Sequence, residues 1–250
     1  MLTKTELLHQ LEALGLHKCS LLMVHASLRR IGAVEGGASG LIDALMERLG
    51  PNGTLVMPMG ADDSGPIDFL TTPADRSLGA LVEVFRQRPG TLVNDHAAAR
   101  FEAAGPEAAA ILEPIPLHHY YGNGSPLARF VDANGWVLRL GADIDTVTVT
   151  HRAEYLADIP EKRLVRRRYV RADGGEQWIE SLDDTDGIVD WPEGDYFGQI
   201  LVDFLSREPV IKGPVGNCTA ELFASDDFLP FAIDWLEARF GPDAKLVEPQ

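Results

Sequence analysis

Three side chains at intervals of three positions, Thr148, His151 and Glu154, are the strongest candidates for chemistry in this sequence. On an α-helix this spacing lines up a hydroxyl, an imidazole and a carboxylate along one edge. A carboxylate beside an imidazole orients the ring and supports its charged form, as a general base near neutral pH requires. The ordinary alternative is a surface histidine with an exposed glutamate as its neighbour, and the spacing alone favours that alternative.

The position of this segment strengthens the catalytic interpretation. It follows a predicted strand over Trp136–Leu140. Because α/β proteins form their sites just past the carboxyl ends of strands, the catalytic and the surface interpretations of His151 become equally favoured. An Asp or Thr near the start of the segment is expected to cap the helix, which should run to Ala157.

Acidic residues form the second candidate site, because 38 Asp and Glu against 22 Lys and Arg leave a net charge of −16. Nine acids and one base lie between residues 171 and 200. Such a stretch can serve solubility alone or form a cleft for a cationic ligand, and the sequence leaves both open. The candidate ligands for a cationic substrate are Asp62, Asp183, Asp184 and Asp186.

A basic run precedes the acidic stretch, and on a strand its members would alternate between two faces. They are Lys162, Arg163, Arg166, Arg167, Arg168 and Arg171. We favour the interpretation in which this run neutralises the acids that follow it.

Composition excludes several classes of protein. The chain is 45% hydrophobic and 24% charged, which is typical of a globular protein. It has no apolar stretch of the roughly 18 to 20 residues that a membrane span needs, and its acidity disfavours nucleic acid and anionic membranes as partners. We therefore expect a cytoplasmic protein. Cys19 and Cys218 are expected to be reduced core thiols, and no metal is expected.

Common catalytic motifs are absent. No lysine stands in a P-loop, residues 37–40 lack the second glycine of a nucleophile elbow, and no dinucleotide fingerprint follows the first strand. The signature of the widespread GNAT acetyltransferase fold begins at Arg29 with Gly32 but breaks at Val34. If coenzyme A binds, it does so through a different fold.

The surrounding sequence alternates strands and helices in the order of an α/β protein. Thr3 and Glu6 predict a capping box for the first helix, and a second helix follows the glycine-bearing loop 32–40. Strands are predicted at 21–24, 54–57 and 91–93, with a helix at 78–88 that makes the third strand part of another βαβ unit. A further helix starts at Ser125-Pro126.

The texture changes after residue 160. Leu164–Val170 and Glu176–Leu182 predict a β-hairpin, and helices are predicted at 196–204 and 228–240. The predicted fold class is therefore α/β, with a mixed sheet flanked by helices and a hairpin-bearing insertion in the C-terminal half. We expect one domain over 1–250, with 160–200 as an acidic insertion near the substrate cleft.

Ordered motifs along nearly the whole chain carry a likeness to one enzyme family. They include Val24-His25-Ala26-Ser27-Leu28, residues 49–58 (LGPNGTLVMP), Gly124-Ser125-Pro126-Leu127, Thr148-x-x-His151-x-x-Glu154, residues 183–186 (DDTD) and Asp195-Tyr196-Phe197. In this order they resemble the aminoglycoside 3-N-acetyltransferases, which move an acetyl group from acetyl-CoA to a cationic amino-cyclitol antibiotic.

The resemblance implies roles for particular residues. The match to His151 is the base that takes a proton from the attacking amine, the match to Glu154 is its supporting acid, and Thr148 lies near the thioester. Coenzyme A is expected along loop 25–37, where the glycines let a helix N-terminus approach the pyrophosphate. The candidate coenzyme residues are His25, Ser27, Leu28, Val34, Gly36 and Gly37.

The chain departs from the family pattern at three positions. Ala26, Ala97 and Val147 stand where the family usually has Ser, Pro and Asn or Ser. We therefore expect the loop at His96 and the start of the catalytic helix to be shaped differently.

Three functions remain open. The favoured one is acetyl-CoA-dependent N-acetylation of the 3-amino group of aminoglycosides, by direct transfer in a ternary complex, which would confer resistance. Direct transfer is expected because no Cys lies in the motif to carry the acetyl group. The alternatives are an acyl-CoA N-acyltransferase for another amine and a non-catalytic binder of a cationic ligand. The protein is expected to be a monomer or a homodimer.

Overall fold

A mixed β-sheet crosses the protein, with helices packed on both of its faces. The structure is a computed structural model that describes residues 1–60, 65–68, 70–192, 194–207 and 210–244. The strands are β1 (Leu21–Ala26), β2 (Thr54–Pro58), β3 (Leu92–Val93), β4 (Phe101–Ala104), β5 (Trp136–Leu140), β6 (Leu164–Val170), β7 (Glu176–Leu182), β8 (Ile211–Val215) and β9 (Cys218–Ala224). The helices are α1 (Lys4–Ala13), α2 (Leu28–Ile31), α3 (Gly37–Leu49), α4 (Ala80–Arg86), α5 (Ala108–Leu112), α6 (Pro126–Asp132), α7 (Val149–Leu156), α8 (Tyr196–Arg207) and α9 (Ser225–Phe240).

The main sheet combines parallel strands at its centre with antiparallel strands outside. Within the described residues its order is β3-β4-β2-β1-β5-β9-β8, and β1 is parallel to both β2 and β5. The connection from β1 through α3 to β2 is the βαβ unit that the sequence predicts. Because parallel strands end at the same edge, the loops after β1, β2 and β5 meet there. The predicted fold class is confirmed.

Two hydrophobic clusters on opposite faces of the sheet hold the helices in place. Leu7, Leu45 and Phe85 belong to one cluster, and Phe204 and Phe228 to the other, and each is at most 1% exposed. The central strands are buried on both faces, which explains their continuous apolar runs. Burial of one such side chain stabilises the fold by about 1.5–3 kcal/mol.

The first helix begins with the predicted capping box. Oγ1 of Thr3 accepts a hydrogen bond from the N–H of Glu6 at 3.3 Å, and the Glu6 carboxylate accepts one from the N–H of Thr3 at 2.8 Å. These bonds satisfy N–H groups that no helical carbonyl reaches. In the described part of the chain, no helix is both long and apolar enough to cross a membrane.

The sequence does not predict three strands of the main sheet, β4, β8 and β9. β4 is short and carries Glu102, β8 contains Gly213 and Pro214, and β9 runs into α9 without an intervening turn residue. Pro214 is tolerated because β8 is an edge strand. The βαβ unit expected at 78–93 is present in split form. β3 runs parallel to β2, because each pairs antiparallel with β4, which lies between them in the sheet.

The hairpin expected after residue 160 has the predicted bounds. β6 and β7 pair antiparallel over their full lengths and form a separate two-stranded sheet. Most of the described residues between β7 and the start of α8, 183–192 and 194–197, line the cavity described below.

Candidate active site

A cavity of about 900 Å³ lies at the edge of the sheet where β5 ends. Its lining comes from loop 143–148, α7 and the segment 183–197, together with Ser77 and Leu78 ahead of α4. We call it the large cavity. It is lined by Thr148, His151 and Glu154, so the structure brings together the three side chains that the sequence singles out.

His151 and Glu154 form a hydrogen-bonded pair on α7. Nδ1 of His151 lies 2.8 Å from Oε2 of Glu154, as their spacing on a helix allows. Glu154 is 1% exposed, whereas His151 is half-buried. Nε2 of His151 makes no hydrogen bond to any residue that the structure describes, so it is available to a ligand in the large cavity.

Tyr196 holds the second oxygen of Glu154. Its hydroxyl donates a hydrogen bond to Oε1 of Glu154 and accepts one from the N–H of Ile188 at 3.0 Å. Both carboxylate oxygens are therefore satisfied, as a buried carboxylate requires.

Electrostatics favour the charged form of the imidazole. Burial opposes this form, but the hydrogen bond and charge of Glu154 outweigh burial and raise the pKa of His151 above its ordinary value. Asp184 and Asp195 act in the same direction. These surroundings favour the imidazolium, which is the form that a histidine acquires when it acts as a general base.

Thr148 stands at the N-cap position of α7 but does not cap it. Its φ and ψ of −58° and −27° are already helical, and its side chain makes no capping hydrogen bond. The predicted cap by an Asp or Thr is wrong, because backbone bonds close this turn instead, with the N–H of Thr150 donating to the carbonyl of Val147 at 3.0 Å. The Thr148 hydroxyl is therefore not used by the helix start.

Acids dominate the large cavity. Among the described residues, one arginine, Arg163, and eight carboxylates line it. The carboxylates are Asp143, Asp145, Glu154, Asp183, Asp184, Asp186, Asp190 and Asp195. A concave surface of this charge attracts cations. The acidic stretch therefore lines a cleft, so it does more than keep the protein surface charged.

Two of the candidate substrate ligands, Asp183 and Asp184, are already bound by an arginine. Arg167 donates to Asp184 at 2.6 Å and to Asp183 at 3.1 Å. The Tyr120 hydroxyl donates to the other oxygen of Asp184 at 2.7 Å, and Asp183 is only 3% exposed. The neutralising role predicted for the basic run is thus present at Arg167.

Five acids of the large cavity are exposed. Asp143 and Asp190 pair with Arg30 and Arg163, and the remaining three are Asp145, Asp186 and Asp195. None of these three forms a salt bridge with another described residue. Their carboxylates are the ones left to meet a cationic ligand. Asp62, the remaining candidate, lies outside the described residues.

A second cavity of about 370 Å³, the small cavity, adjoins the first. His25, Ser27 and Leu28 line it. Four residues line both cavities: Ser77, Leu78, Asp143 and Thr146. Three of the six candidate coenzyme residues therefore lie in a space continuous with the His151 site.

The other three coenzyme candidates, Val34, Gly36 and Gly37, line neither cavity. Val34 is 8% exposed and forms a β-bridge with Leu2. Gly36 and Gly37 make the turn before α3 with φ of 74° and 60°. A Cβ added to Gly37 would meet no atom within 4 Å, so the backbone is open to approach there.

His25 is a buried, neutral group next to the start of α7. It is 5% exposed, and its Nε2 lies 3.5 Å from the N–H nitrogen of Thr148. Burial, together with the charge of Arg139 on the adjacent strand, lowers the pKa of His25 to about 3. It is therefore not a second base at neutral pH.

Arg139 anchors the loop that both cavities share. It is 2% exposed and forms a salt bridge with Glu221 on the other neighbouring strand. Its guanidinium also donates to the carbonyls of Asp143 at 2.6 Å, Ala142 at 3.2 Å and Thr146 at 3.3 Å. The position of this loop is thus set by the sheet.

Three aromatic residues of the site are not assigned a role by the sequence. The ring of Tyr121 stacks on His151 with centroids 4.7 Å apart, and the ring of Phe197 meets it at 4.9 Å. Tyr196 is the third. Tyr196 and Phe197 belong to a motif of the resemblance, which is the signal that pointed to them. Tyr121 lies in an irregular segment far from His151 in sequence, and no local pattern marks it.

The chain matches known proteins over almost its whole length. The family model for aminoglycoside 3-N-acetyltransferase matches residues 23–237. Aminoglycoside N(3)-acetyltransferase III of Pseudomonas aeruginosa is 36% identical, with 97% of this chain and 96% of that protein covered. Aminoglycoside N(3)-acetyltransferase IX of Micromonospora chalcea is 33% identical, with 95% and 94% covered.

Solved structures agree. The chain is similar to AAC-IIIb in a binary complex with CoASH, with a TM-score of 0.91, 35% identity, and 97% of this chain and 99% of that chain covered. It is also similar to AAC-VIa bound to sisomicin, with a TM-score of 0.87, 34% identity and coverage of 95% and 98%. Fold and site define an acyltransferase whose fold is not that of GNAT enzymes. The chain belongs to the aminoglycoside 3-N-acetyltransferase family.

Proposed function

We propose that this protein acetylates the 3-amino group of an aminoglycoside with acetyl-CoA, by direct transfer in a ternary complex. The observation that carries the proposal is the His151–Glu154 pair facing a cavity lined by eight carboxylates. A base beside an acidic wall suits an amine that arrives as part of a polycation. The names of the relatives and the sisomicin complex of AAC-VIa support the same substrate class.

In this mechanism His151 is the general base. Its Nε2 takes a proton from the substrate nitrogen as that nitrogen forms a bond to the thioester carbonyl carbon. Glu154 stabilises the resulting imidazolium, and Tyr196 keeps Glu154 in place. When the carbon–sulfur bond breaks, His151 returns the proton to the thiolate and is ready for another cycle.

Thr148 is proposed to stabilise the charge that develops on the carbonyl oxygen. Its hydroxyl is not used as a helix cap, and its side chain lines the large cavity beside His151. A donor held before the reaction starts is worth most when it faces the oxyanion of the transition state.

The exposed acids Asp145, Asp186 and Asp195 are proposed to hold the other ammonium groups of the substrate. Asp183 and Asp184, bound by Arg167, shape this wall and contribute negative potential rather than a free carboxylate. Asp62 stays a candidate on the strength of the sequence alone.

The small cavity is proposed to receive the pantetheine arm of acetyl-CoA. His25, Ser27 and Leu28 would flank the arm, and the opening at Ser77, Leu78 and Thr146 leads towards His151. The pyrophosphate is proposed to lie at Gly36 and Gly37, beside the first turn of α3. The N–H of Gly37 itself is taken, because it donates to the carbonyl of Val34 at 2.9 Å.

We further propose that residues 1–250 act as one domain, with 160–200 as the insertion that supplies the acidic wall. Acetylation removes one positive charge from the antibiotic, and we propose that this chemistry serves resistance.

The test is release of free thiol from acetyl-CoA across a panel of aminoglycosides with and without a free 3-amino group. We expect release only with the former, and a drop of roughly 10²- to 10⁴-fold in turnover for His151→Ala with the amine still bound. Acetylation of unrelated amines instead would identify a different N-acyltransferase, and binding without thiol release would identify a binding protein. Either result contradicts the proposal.

A further inference from the structure

The imidazole of His151 contacts two aromatic rings. The ring of Tyr121 lies parallel to it, with an interplanar angle of 4° and centroids 4.7 Å apart. The ring of Phe197 meets it at 60° and 4.9 Å. In a parallel stack the π face of tyrosine, which carries partial negative charge, is turned towards the imidazole.

Tyr121 is itself fixed from behind. Its ring meets Tyr120 edge-on at 4.9 Å and Phe101 of β4 edge-on at 6.2 Å. The turn around it is tight, because the N–H of Gly122 donates to the carbonyl of His119 at 2.7 Å and a Cβ on Gly122 would come within 2.9 Å of that oxygen. The fold therefore positions the ring before any substrate arrives.

The charged groups that influence His151 are acids on three elements. They are Glu154 on its own helix, Asp184 after β7 and Asp195 before α8. Tyr121 adds no charge, because burial raises the pKa of its hydroxyl above the ordinary value. The uncharged ring of Tyr121 therefore lies against the His151 imidazole, in addition to the three acids.

We propose that Tyr121 is a positioning residue of the catalytic base, whose ring face fixes the plane of the His151 imidazole and stabilises its protonated form. This proposal rests on the role of His151 proposed above.

The stack does what the hydrogen bond to Glu154 cannot do alone. One bond through Nδ1 leaves the imidazole able to tilt about the Nδ1–Oε2 line, so Nε2 would sweep across the large cavity. A parallel ring at van der Waals distance restricts that tilt and keeps Nε2 directed at the substrate. It also favours the imidazolium over the neutral ring through the cation–π attraction.

The experiment compares Tyr121→Leu, which removes the π face, with Tyr121→Phe, which removes only the hydroxyl. The pKa of His151 is measured by NMR titration of the full-length protein without substrates, and kcat and KM are measured with acetyl-CoA and an aminoglycoside. We expect Tyr121→Leu to lower the pKa by about 0.5 to 1. Its kcat should fall roughly 3- to 30-fold with little change in KM. Tyr121→Phe should keep both values.

Tyr155→Leu is the matched control, because its ring meets His119 edge-on at 5.9 Å and makes no ring contact with His151. It should leave the pKa of His151 where it is. If Tyr121→Leu does not fold, Tyr121→Met replaces it.

An unchanged pKa and kcat in the folded aliphatic variant would overturn the proposal, as would equal damage from Tyr121→Phe. Full turnover in His151→Ala would instead refute the base assignment, and the NMR titration would still report on the stack.

Discussion

Each polar group around His151 holds the next one in place. Glu154 accepts hydrogen bonds from both His151 and Tyr196, and Tyr196 in turn accepts one from the N–H of Ile188. His151, the proposed base, is thereby linked to the segment that forms the acidic wall. Such a network restricts each member more than an isolated pair would.

Tyr196→Phe tests this network. The variant removes the hydroxyl that donates a hydrogen bond to Oε1 of Glu154. Because that bond partly offsets the negative charge of the carboxylate, its loss makes Glu154 attract the imidazolium more strongly. We expect kcat to fall roughly 10-fold. The acid limb of the kcat–pH profile should move to higher pH, because a raised pKa of His151 means that the neutral base forms later.

Tyr155→Phe is the control for that profile. It removes a hydroxyl that accepts from the N–H of Leu182 at 3.2 Å but has no bond to Glu154. Indistinguishable profiles for the two variants would contradict the positioning role of Tyr196.

Glu102 is a buried acid that the site does not use. It is 0% exposed, neither carboxylate oxygen has a hydrogen-bond partner among the described residues, and burial raises its pKa to about 9. The unfolded chain loses this proton near pH 4.5, so between about pH 4.5 and 9 Glu102 lowers the stability of the folded protein by about 1.4 kcal/mol per pH unit. Urea unfolding of Glu102→Gln should show a gain over the parent that grows from pH 5 to pH 8.

Glu83 has the opposite effect on how the stability of the folded protein depends on pH. The Arg86 hydrogen bond, against burial, lowers the pKa of Glu83 to about 2. Its contribution is present above the unfolded pKa and is lost as the pH falls towards 2. Glu83→Gln should therefore destabilise the protein at pH 7, and equal behaviour of the two variants would rule out the assigned environments.

The sequence predicts those helices and strands whose pattern is local. The hairpin β6–β7 has strong alternation on both sides of a glycine turn, and the parallel strand β5 reads as an apolar run, so both have the predicted bounds. β4 and β8 were not predictable in this way, because Glu102 and Pro214 are accommodated only by their places in the sheet. Local pattern does not contain those tertiary contacts.

In the candidate site, too, the sequence predicts local contacts but not contacts between distant segments. His151 and Glu154 are neighbours on one helix, so their spacing predicts their contact. The pairing of Arg167 with Asp183 and Asp184 depends on how the chain folds back from β7, and the stack of Tyr121 depends on a turn far away in sequence. Spacing cannot reveal contacts of this kind.

The start of α3 gives a test of the coenzyme proposal. Ser39→Asp adds a carboxylate in the first turn of α3. Its negative charge interacts favourably with the helix dipole but repels a pyrophosphate. We expect thermal stability to hold or rise while the affinity for CoA, measured by calorimetry, falls several-fold. Ser39→Asn keeps a polar group without the charge and should bind CoA as the parent does. Unchanged affinity in Ser39→Asp would remove the pyrophosphate from this helix end.

The molecule as a whole carries a net charge of −16, and its two proposed substrates have opposite charges. Salt screens exposed charges over about 10 Å at 0.1 M, so a polycationic amine should lose attraction and anionic acetyl-CoA should lose repulsion. The KM for the amine should therefore rise with ionic strength while that for acetyl-CoA falls or holds.

Two substitutions localise this effect. Asp186→Asn removes an exposed carboxylate of the large cavity and should raise the KM for the amine. Asp183→Asn removes a partner of Arg167, and its main effect should be a lower thermal stability. A KM for the amine that ignores both salt and Asp186→Asn would mean that the acidic wall does not capture the substrate.

Loop 142–146 lies between the two cavities and contributes to the lining of both, as do Ser77 and Leu78. Any displacement of this loop by an occupant of the small cavity reshapes the large one, and thermodynamic linkage makes the resulting change in affinity equal in both directions. Arg139, which ties three carbonyls of the loop to the sheet, limits how far it can move. If acetyl-CoA occupies the small cavity and the antibiotic the large one, as proposed above, an inhibitor of the small cavity that moves this loop would do more than compete with acetyl-CoA. It would also change which antibiotics bind in the large cavity.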